Sequence, residues 1–328
     1  MTSLVSSSLH FVILKIIFVI TPWLLLFIFF RSYSFDGRLI VSKAITFSEN
    51  HHAYTYLPKK LSSANSSNII AILTRFENLT ILGLRIGELD KTVDDQFRTP
   101  VIVFHQGYLG QEEFREIHRY TQRSIIFRNV DEHFSKFPAG FDPYLNQPNW
   151  AIRTKWGYHH MIHFWFKIVF ELPEIQPYKY IMRLDYDSRL FGNWTNVFTL
   201  MKTNHSVYMA NFETLDYEWQ LRGTLKLKDL ALEHIRRHGL VIQNPRNFER
   251  AFTNETARTY WNNFEIAELQ FFRRENVTDW VNAVIESQGI YKYRWGDAIL
   301  RFLTLAIFAR DDQVLHRQAL GLRYCHPC

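Results

Sequence analysis

The segment YKYIMRLDYDS, residues 178–188, closes an apolar run with two acids one residue apart, Asp185 and Asp187. Carboxylates so spaced can share a divalent cation and leave coordination positions open for water and phosphate oxygens. A cation held there neutralises charge on a departing diphosphate. A solvated turn after a strand would use the same residue types, so the pair alone does not decide. The cysteines, Cys325 and Cys328, stand in CHPC at the tail. A CxxC can be a redox pair, half of a zinc site or a local disulfide. Zinc would need two further ligands, and the sequence has no other cysteine. In an oxidising compartment the expected state is a disulfide that pins the tail, with a redox role as the alternative. His159 and His163 are four apart on a predicted helix without an obvious third ligand, and read as structural.

The elements that must position these groups show in the hydrophobic pattern. NIIAILTRF (68–76), TPVIVFHQG (99–107) and RSIIFRNV (123–130) are short apolar runs bounded by polar and turn residues, and QEEFREIHRY (111–120) fits a helix between strands. TKWGYHHMIHFWFKIVFELPEI (154–175) predicts a long helix, with Met161, Phe164, Trp165, Ile168 and Val169 at helical spacing. YKYIMRLDYDS is the strand that runs into the acids, and SVYMANFE (206–213) is another short strand. Buried strands alternating with helices predict an α/β domain with a largely parallel sheet. Ligands of open α/β sheets bind beyond the carboxyl ends of the strands. Asp185 and Asp187 stand at such an end, which favours the metal reading. Residues 221–258, charged and weakly periodic, predict helix with a loop and have no legible role.

Composition bounds the class. Apolar residues make up 47% and charged residues 21%, which excludes general disorder. Aromatics at 16% fit a deep core and a surface on which sugars can stack. The net charge of +6 is spread without a run of five basic residues. It attracts anionic ligands weakly and does not argue for nucleic acid.

Location is read from the other end of the sequence. LHFVILKIIFVITPWLLLFIFF, Leu9–Phe30, holds one charge, Lys15. At about 1.5 Å per residue it reaches roughly 33 Å, enough to cross a bilayer. FFRSYS offers no small-x-small cleavage site, so the segment reads as an uncleaved signal anchor rather than a signal peptide. Arg31, Arg38 and Lys43 follow the span, and the positive-inside rule alone would keep the long part cytosolic. Six glycosylation sequons, at Asn65, Asn78, Asn193, Asn204, Asn254 and Asn276, point the other way. With Lys15 as the cytoplasmic flank, the reading is a short tail (1–8), an anchor (9–30), a stem (31–67) rich in Ser and Asn, and a lumenal globule (68–328).

Downstream, WNNFEIAELQFFRRENVTDWVNAVIESQGIYKYRWGDAILRFLTLAIF (261–308) closely resembles the fungal Golgi α-1,2-mannosyltransferases of glycosyltransferase family 15. That family carries an NFEIA segment, an aromatic-rich segment ending in RWGDA, and then an apolar helix. GYHHM (157–161), YIMRLDYD and AILTRFE extend the likeness weakly upstream, over roughly residues 68–328. The resemblance implies a nucleotide-sugar transferase fold of GT-A type, with a mixed, mostly parallel sheet flanked by helices. It implies retaining transfer of mannose from GDP-mannose to a mannosylated glycan acceptor, with Mn²⁺ or another divalent cation, in the Golgi lumen of a single-pass type II membrane protein.

Residue roles follow by position. Asp185 occupies the place of the family's acidic metal ligand, and Asp-Tyr-Asp here replaces a Glu-Pro pair. Asp187 and, from the tail, His326 complete the implied metal site. Arg75, Arg183 and Asp185 fall to the donor. Glu265 matches the carboxylate beneath the sugar's anomeric carbon, Tyr158 a tyrosine near the same carbon, and Asp297 a group that bonds the transferred sugar or the acceptor. Plainer readings exist for each. Glu265 could pair with Arg273 or Arg274 on a helix face, Asp297 could cap a helix, Tyr158 could be core, and His326 could be a tail residue. Two rival functions remain: the same chemistry on a UDP-linked sugar, and a membrane-anchored glycan-binding protein without turnover. The joint presence of Asp185, Asp187, Glu265 and Asp297 counts against the second.

Overall fold

The apolar runs at 68–76, 99–107 and 123–130 form three neighbouring parallel strands. The computed structural model describes residues 45–47, 53–56, 66–75, 79–93, 99–121, 123–145, 155–216, 223–253 and 256–328. Its strands are β1 (Ile45–Phe47), β2 (Ala53–Tyr56), β3 (Asn68–Thr74), β4 (Val101–His105), β5 (Ile125–Asn129), β6 (Tyr180–Asp185), β7 (Arg189–Phe191), β8 (Tyr208–Ala210), β9 (Glu213–Leu215), β10 (Arg258–Tyr260), β11 (Phe264–Glu268), β12 (Val314–His316) and β13 (Arg323–Cys325). Nine of them form one sheet in the order β1-β2-β5-β4-β3-β6-β11-β8-β12. The block β5-β4-β3-β6 is parallel, and β11 runs antiparallel between β6 and β8. β13 pairs with β7, and β10 with β9, as separate ribbons.

β4 is buried at every position, as expected of a central parallel strand covered on both faces. Side chains alternate between two apolar layers. Ile69, Ala71, Ile181 and Ala267 point to one, and Ile70, Ile72, Met182, Phe264 and Ile266 to the other. Arg183 and Glu265 therefore share a face with Ile181 and Ala267, because strand side chains alternate with period two. They are also register partners across β6 and β11. Since β11 runs against β6, its first residues lie beside the carboxyl end of β6. That reversal brings the NFEIA segment to the acids.

Three expectations change. β1 and β2 fall inside the stretch expected to be a stem, so the sheet begins earlier than residue 68. The helix expected over 154–175 is α-helical at Lys155–His163, widens into a π turn at Phe164–Ile168, returns to helix at Val169–Glu171 and stops at Leu172. Pro173 forces that stop, holding the preceding residue extended, with ψ 133° at Leu172. NFEIA is a strand and not a helix face, so the suggested pairing of Glu265 with Arg273 or Arg274 does not form. The expected membrane anchor, Leu9–Phe30, lies outside the described residues. Among the described residues no helix is long and apolar enough to cross a membrane.

The 221–258 stretch forms helices Lys226–His238 and Pro245–Ala251. It braces the downstream motif: Trp295 Nε1 donates to the Gly223 carbonyl at 2.9 Å, and the Gln243 and Asn244 amides donate to the carbonyls of Ile307 and Ala306 at 2.9 and 3.0 Å. A role absent from the sequence pattern is thereby supplied by packing.

Candidate active site

β6 delivers Asp185 to the sheet edge, and the turn after it presents Asp187. The Asp185 amide donates to the Asn263 carbonyl at 3.1 Å, tying the strand end to the start of β11. Beneath this joint runs a buried polar relay: Arg317 Nε donates to Asn211 Oδ1 at 2.8 Å, and Asn211 Nδ2 donates to Asn263 Oδ1 at 3.0 Å. β13 folds back along β7 and brings His326 over the acids. Its Nε2 lies 2.9 Å from Asp187 Oδ1 and 3.7 Å from Asp185 Oδ2. The tail is held by this ribbon and by a Ser188–Tyr324 hydroxyl contact of 2.6 Å. Cys325 and Cys328 are free thiols, so the expected disulfide is not what pins it.

Arg183 joins the strand-end acids to the interior. Its Nη1 donates to Asp297 Oδ2 at 2.7 Å and lies 3.9 Å from Glu265 Oε1, while Nε sits 3.4 Å from Asp185 Oδ1. The guanidinium stacks 4.6 Å from the Trp165 ring, a favourable cation–π arrangement. Asp297 opens the helix Asp297–Phe308, where a carboxylate also suits the positive end of the helix dipole. Gly296 is the cap residue, so Asp297 does not serve as one, and its side chain is taken by Arg183.

Glu265 is 3% exposed and fully engaged. Oε2 accepts from the Tyr208 hydroxyl at 2.8 Å and from Arg301 Nε at 2.9 Å, and Oε1 accepts from Arg301 Nη2 at 3.3 Å. Burial and the neighbouring Glu265 push the Tyr208 phenol well above its ordinary value, so it stays a donor.

A groove of about 310 Å³ opens beside this cluster, lined by Arg75, Gly157, Tyr158, Met161 and Tyr186 among others. Arg75 is exposed and donates from Nε to Gln106 Oε1 at 2.8 Å. Its guanidinium lies over Gly157, where an added Cβ would push this flexible side-chain end aside. Tyr158 is 38% exposed and lines the groove wall, with Arg294 stacked 4.4 Å from its ring. Desolvation by its neighbours, then the Asp297 carboxylate, push its phenol up to about 12. It is therefore a protonated donor at neutral pH.

The structure thus brings Arg183, Asp185, Asp187, Glu265, Asp297 and His326 into one contact network, with Tyr158 and Arg75 in the adjoining groove. Sequence reasoning missed Arg301 and Tyr208. Arg301 left a readable signal: it is the single charge inside the apolar run AILRFLTLAIF. His160 and His163 place their Nδ1 atoms 3.0 and 3.2 Å from the Tyr291 hydroxyl, and the His159 ring stacks on the Tyr291 ring, so the three histidines are structural around one tyrosine.

The donor set fits a cation. Loss of water raises Asp185 above its ordinary range, opposed by Arg183 and His326 and reinforced by Asp297 and Asp187. The Nδ1 atom of His326 has no hydrogen-bond partner. Among the described residues no group of three His, Cys, Asp or Glu side chains is placed to hold a metal ion by itself. A cation here would share its shell with water and phosphate oxygens, as small hard dications do.

The sequence profile of the family described as glycolipid 2-alpha-mannosyltransferase matches residues 41–327. The chain belongs to this family, glycosyltransferase family 15. The matched span includes residues 221–258. Among curated members, the probable mannosyltransferase KTR4 of Saccharomyces cerevisiae is 30% identical over 173 residues, covering 49% of this chain and 36% of that protein. The O-glycoside alpha-1,2-mannosyltransferase omh1 of Schizosaccharomyces pombe is 23% identical over 83% of this chain and 71% of its own length. So this chain spans about a third of the first relative in the matched region and most of the second. Among solved structures, core-mannan synthase A of Aspergillus fumigatus in its Mn/GDP form superposes with a TM-score of 0.70 at 21% identity, over 89% of this chain and 82% of that one. Ktr4p of S. cerevisiae in complex with GDP gives 0.68 at 22%, over 82% and 75%. The family-15 transferase fold, of GT-A type, is thereby shared.

Proposed function

We propose that this chain is a metal-dependent retaining mannosyltransferase. It moves mannose from GDP-mannose to a mannose hydroxyl of a glycoprotein or glycolipid glycan, forming an α-1,2 linkage. One observation carries the reading. Four carboxylates, Asp185, Asp187, Glu265 and Asp297, meet two guanidiniums, Arg183 and Arg301, and the surplus negative charge lies on the open side beside His326. Core-mannan synthase A, of the same fold, is named with Mn and GDP, and omh1 is named an alpha-1,2-mannosyltransferase.

Asp185, Asp187 and His326 would hold Mn²⁺, which supplies neutralisation of the charge that builds on the leaving GDP. Arg75 steadies the donor from the groove. Tyr158 donates a hydrogen bond near the anomeric carbon, and Asp297, oriented by Arg183, accepts from a sugar hydroxyl. Glu265 lies beneath the carbon that becomes positive. A carboxylate whose oxygens already accept from Arg301 and Tyr208 is a poor nucleophile, because those bonds stabilise the charge it would have to donate. Glu265 therefore acts by its field, and the acceptor oxygen attacks from the face the GDP leaves, giving its proton to the departing phosphate.

The chain is further proposed to sit in the Golgi membrane through Leu9–Phe30, with the enzyme lumenal. The sequons support this, and Asn193, Asn204 and Asn276 are exposed. Endoglycosidase treatment of the protein from a eukaryotic cell should lower its mass; an unchanged band would place it in the cytosol.

The activity is tested by offering GDP-mannose, UDP-galactose and UDP-N-acetylglucosamine with free mannose as acceptor, with Mn²⁺ or with a chelator. Nucleotide release is expected from GDP-mannose with metal only. Turnover of a UDP-sugar would reassign the donor, and no turnover of any would leave a binding protein.

A further inference from the structure

Helix Asp297–Phe308 is buried along almost its whole length, yet it carries Arg301 at its centre, 1% exposed. A buried guanidinium is tolerated only when charge and hydrogen bonds are met together. Here the charge is met and two of the three guanidinium nitrogens are bonded, Nη1 having no partner. Nε and Nη2 grip both oxygens of Glu265 at 2.9 and 3.3 Å, and Nη2 also donates to the Trp165 carbonyl at 3.1 Å. The Phe272 and Phe170 rings lie 4.5 and 5.1 Å from the guanidinium carbon. Trp165 belongs to the π turn Phe164–Ile168. Such a widened turn interrupts the regular helical ladder and is found disproportionately at functional sites. The same residue's ring stacks on Arg183. One irregular turn thus touches both arginines that flank Glu265, by its carbonyl on one side and its indole on the other. Tyr208, from β8, closes the third side of the carboxylate.

We propose that Arg301 is a positioning residue of the transfer reaction: with Tyr208 and the Trp165 carbonyl it locks Glu265 in the one orientation that supports the sugar's positive charge. Arg301 touches no substrate and acts through Glu265. The inference rests on the reading of Glu265 as the carboxylate beneath the anomeric carbon.

A structural ion pair would show the same contacts, so the test must read something stability does not move. The kcat, the KM for GDP-mannose and the melting temperature are measured for wild type, Arg301→Lys, Tyr208→Phe and Glu265→Gln, and for Arg301→Lys and Tyr208→Phe each combined with Glu265→Gln. Lysine keeps the charge but loses the two-pronged grip. Arg301→Lys is expected to lower kcat roughly 10–100-fold per folded molecule, the scale of a misplacement near 1 Å, with KM within about twofold. Tyr208→Phe, which leaves no charge unpaired, should lower kcat several-fold and serves if the lysine variant does not fold. In the Glu265→Gln background neither change should lower kcat further, because coupled residues are not additive. Equal losses in both backgrounds, or wild-type kcat in Arg301→Lys and Tyr208→Phe while Glu265→Gln is crippled, would overturn the positioning role alone. Wild-type kcat in Glu265→Gln would overturn the reading of Glu265 beneath it.

Discussion

The site has a closed side and an open side, and they differ in how charge is balanced. On the closed side Arg301, Glu265, Arg183 and Asp297 alternate in sign, each no more than 4% exposed, and two cations meet two anions. On the open side the Asp185, Asp187 and His326 side chains are 32%, 33% and 20% exposed, and two acids face one imidazole. The closed side balances its charge without a ligand. The open side does not, and its deficit is the charge of a dication. Buried groups are satisfied by protein, because an unpaired buried charge is the costlier error, whereas groups meant for a ligand are left near water with unmet demand. The contrast separates charges balanced by the protein from charges left for a ligand more sharply than residue type does, since both sides are built from carboxylates.

The largest expected effect is on the closed side. Arg183→Met leaves the buried Asp297 without its cation and removes one partner of Asp185, while Glu265 keeps Arg301, and should lower unfolding free energy by about 3–5 kcal/mol. Chemical denaturation measures it, and a loss near zero would dissolve the distinction. Glu265→Gln comes next. Transition-state electrostatics of about 3–4 kcal/mol predict a fall in kcat of roughly 10²–10³-fold with donor affinity nearly unchanged. The Arg301 pairing means that melting temperature falls too, so only turnover per folded molecule discriminates here.

Acid should also strike the buried part. Burial pushes His160 and His163 down to about 4, against about 6.5 in an unfolded chain. The unfolded state then binds more protons between those values, so stability present above pH 6.5 is lost as pH falls toward 4. Melting temperature followed across that range should drop, with a shallower slope in His160→Gln. Parallel slopes would assign the loss elsewhere. The smallest effect belongs to the exposed pair Arg310–Asp312, 3.0 Å apart. Arg310→Ala should leave melting unchanged, as exposed ion pairs generally do.

Much of this was legible beforehand where a pattern is local. The parallel strands, the acids at the end of β6, and the NFEIA and RWGDA segments all stand in runs of fewer than a dozen residues. What was not legible depends on partners far apart in the chain. Tyr208 looks like any strand aromatic until β8 pairs with β11, and Arg301 gains meaning only when its helix lies across Glu265. The early strands β1 and β2 were hidden by polar, Ser- and Asn-rich surroundings without sustained alternation. The π turn at Phe164–Ile168 left the helical spacing of its apolar residues intact, so periodicity could not announce it. The tail was misjudged for a chemical reason: CHPC invites a disulfide, while the hold comes from backbone pairing of β13 with β7.

The central claim is that the open side is unfinished without a dication. GDP affinity, measured calorimetrically with and without Mn²⁺ for wild type and for Asp185→Asn, tests it most directly. The account predicts that Mn²⁺ tightens GDP binding by at least about tenfold in wild type, or ~1.4 kcal/mol, and that Asp185→Asn removes the gain while the protein stays folded. An equal gain in both proteins, or none in wild type, would contradict it and return Asp185 and Asp187 to a solvated turn.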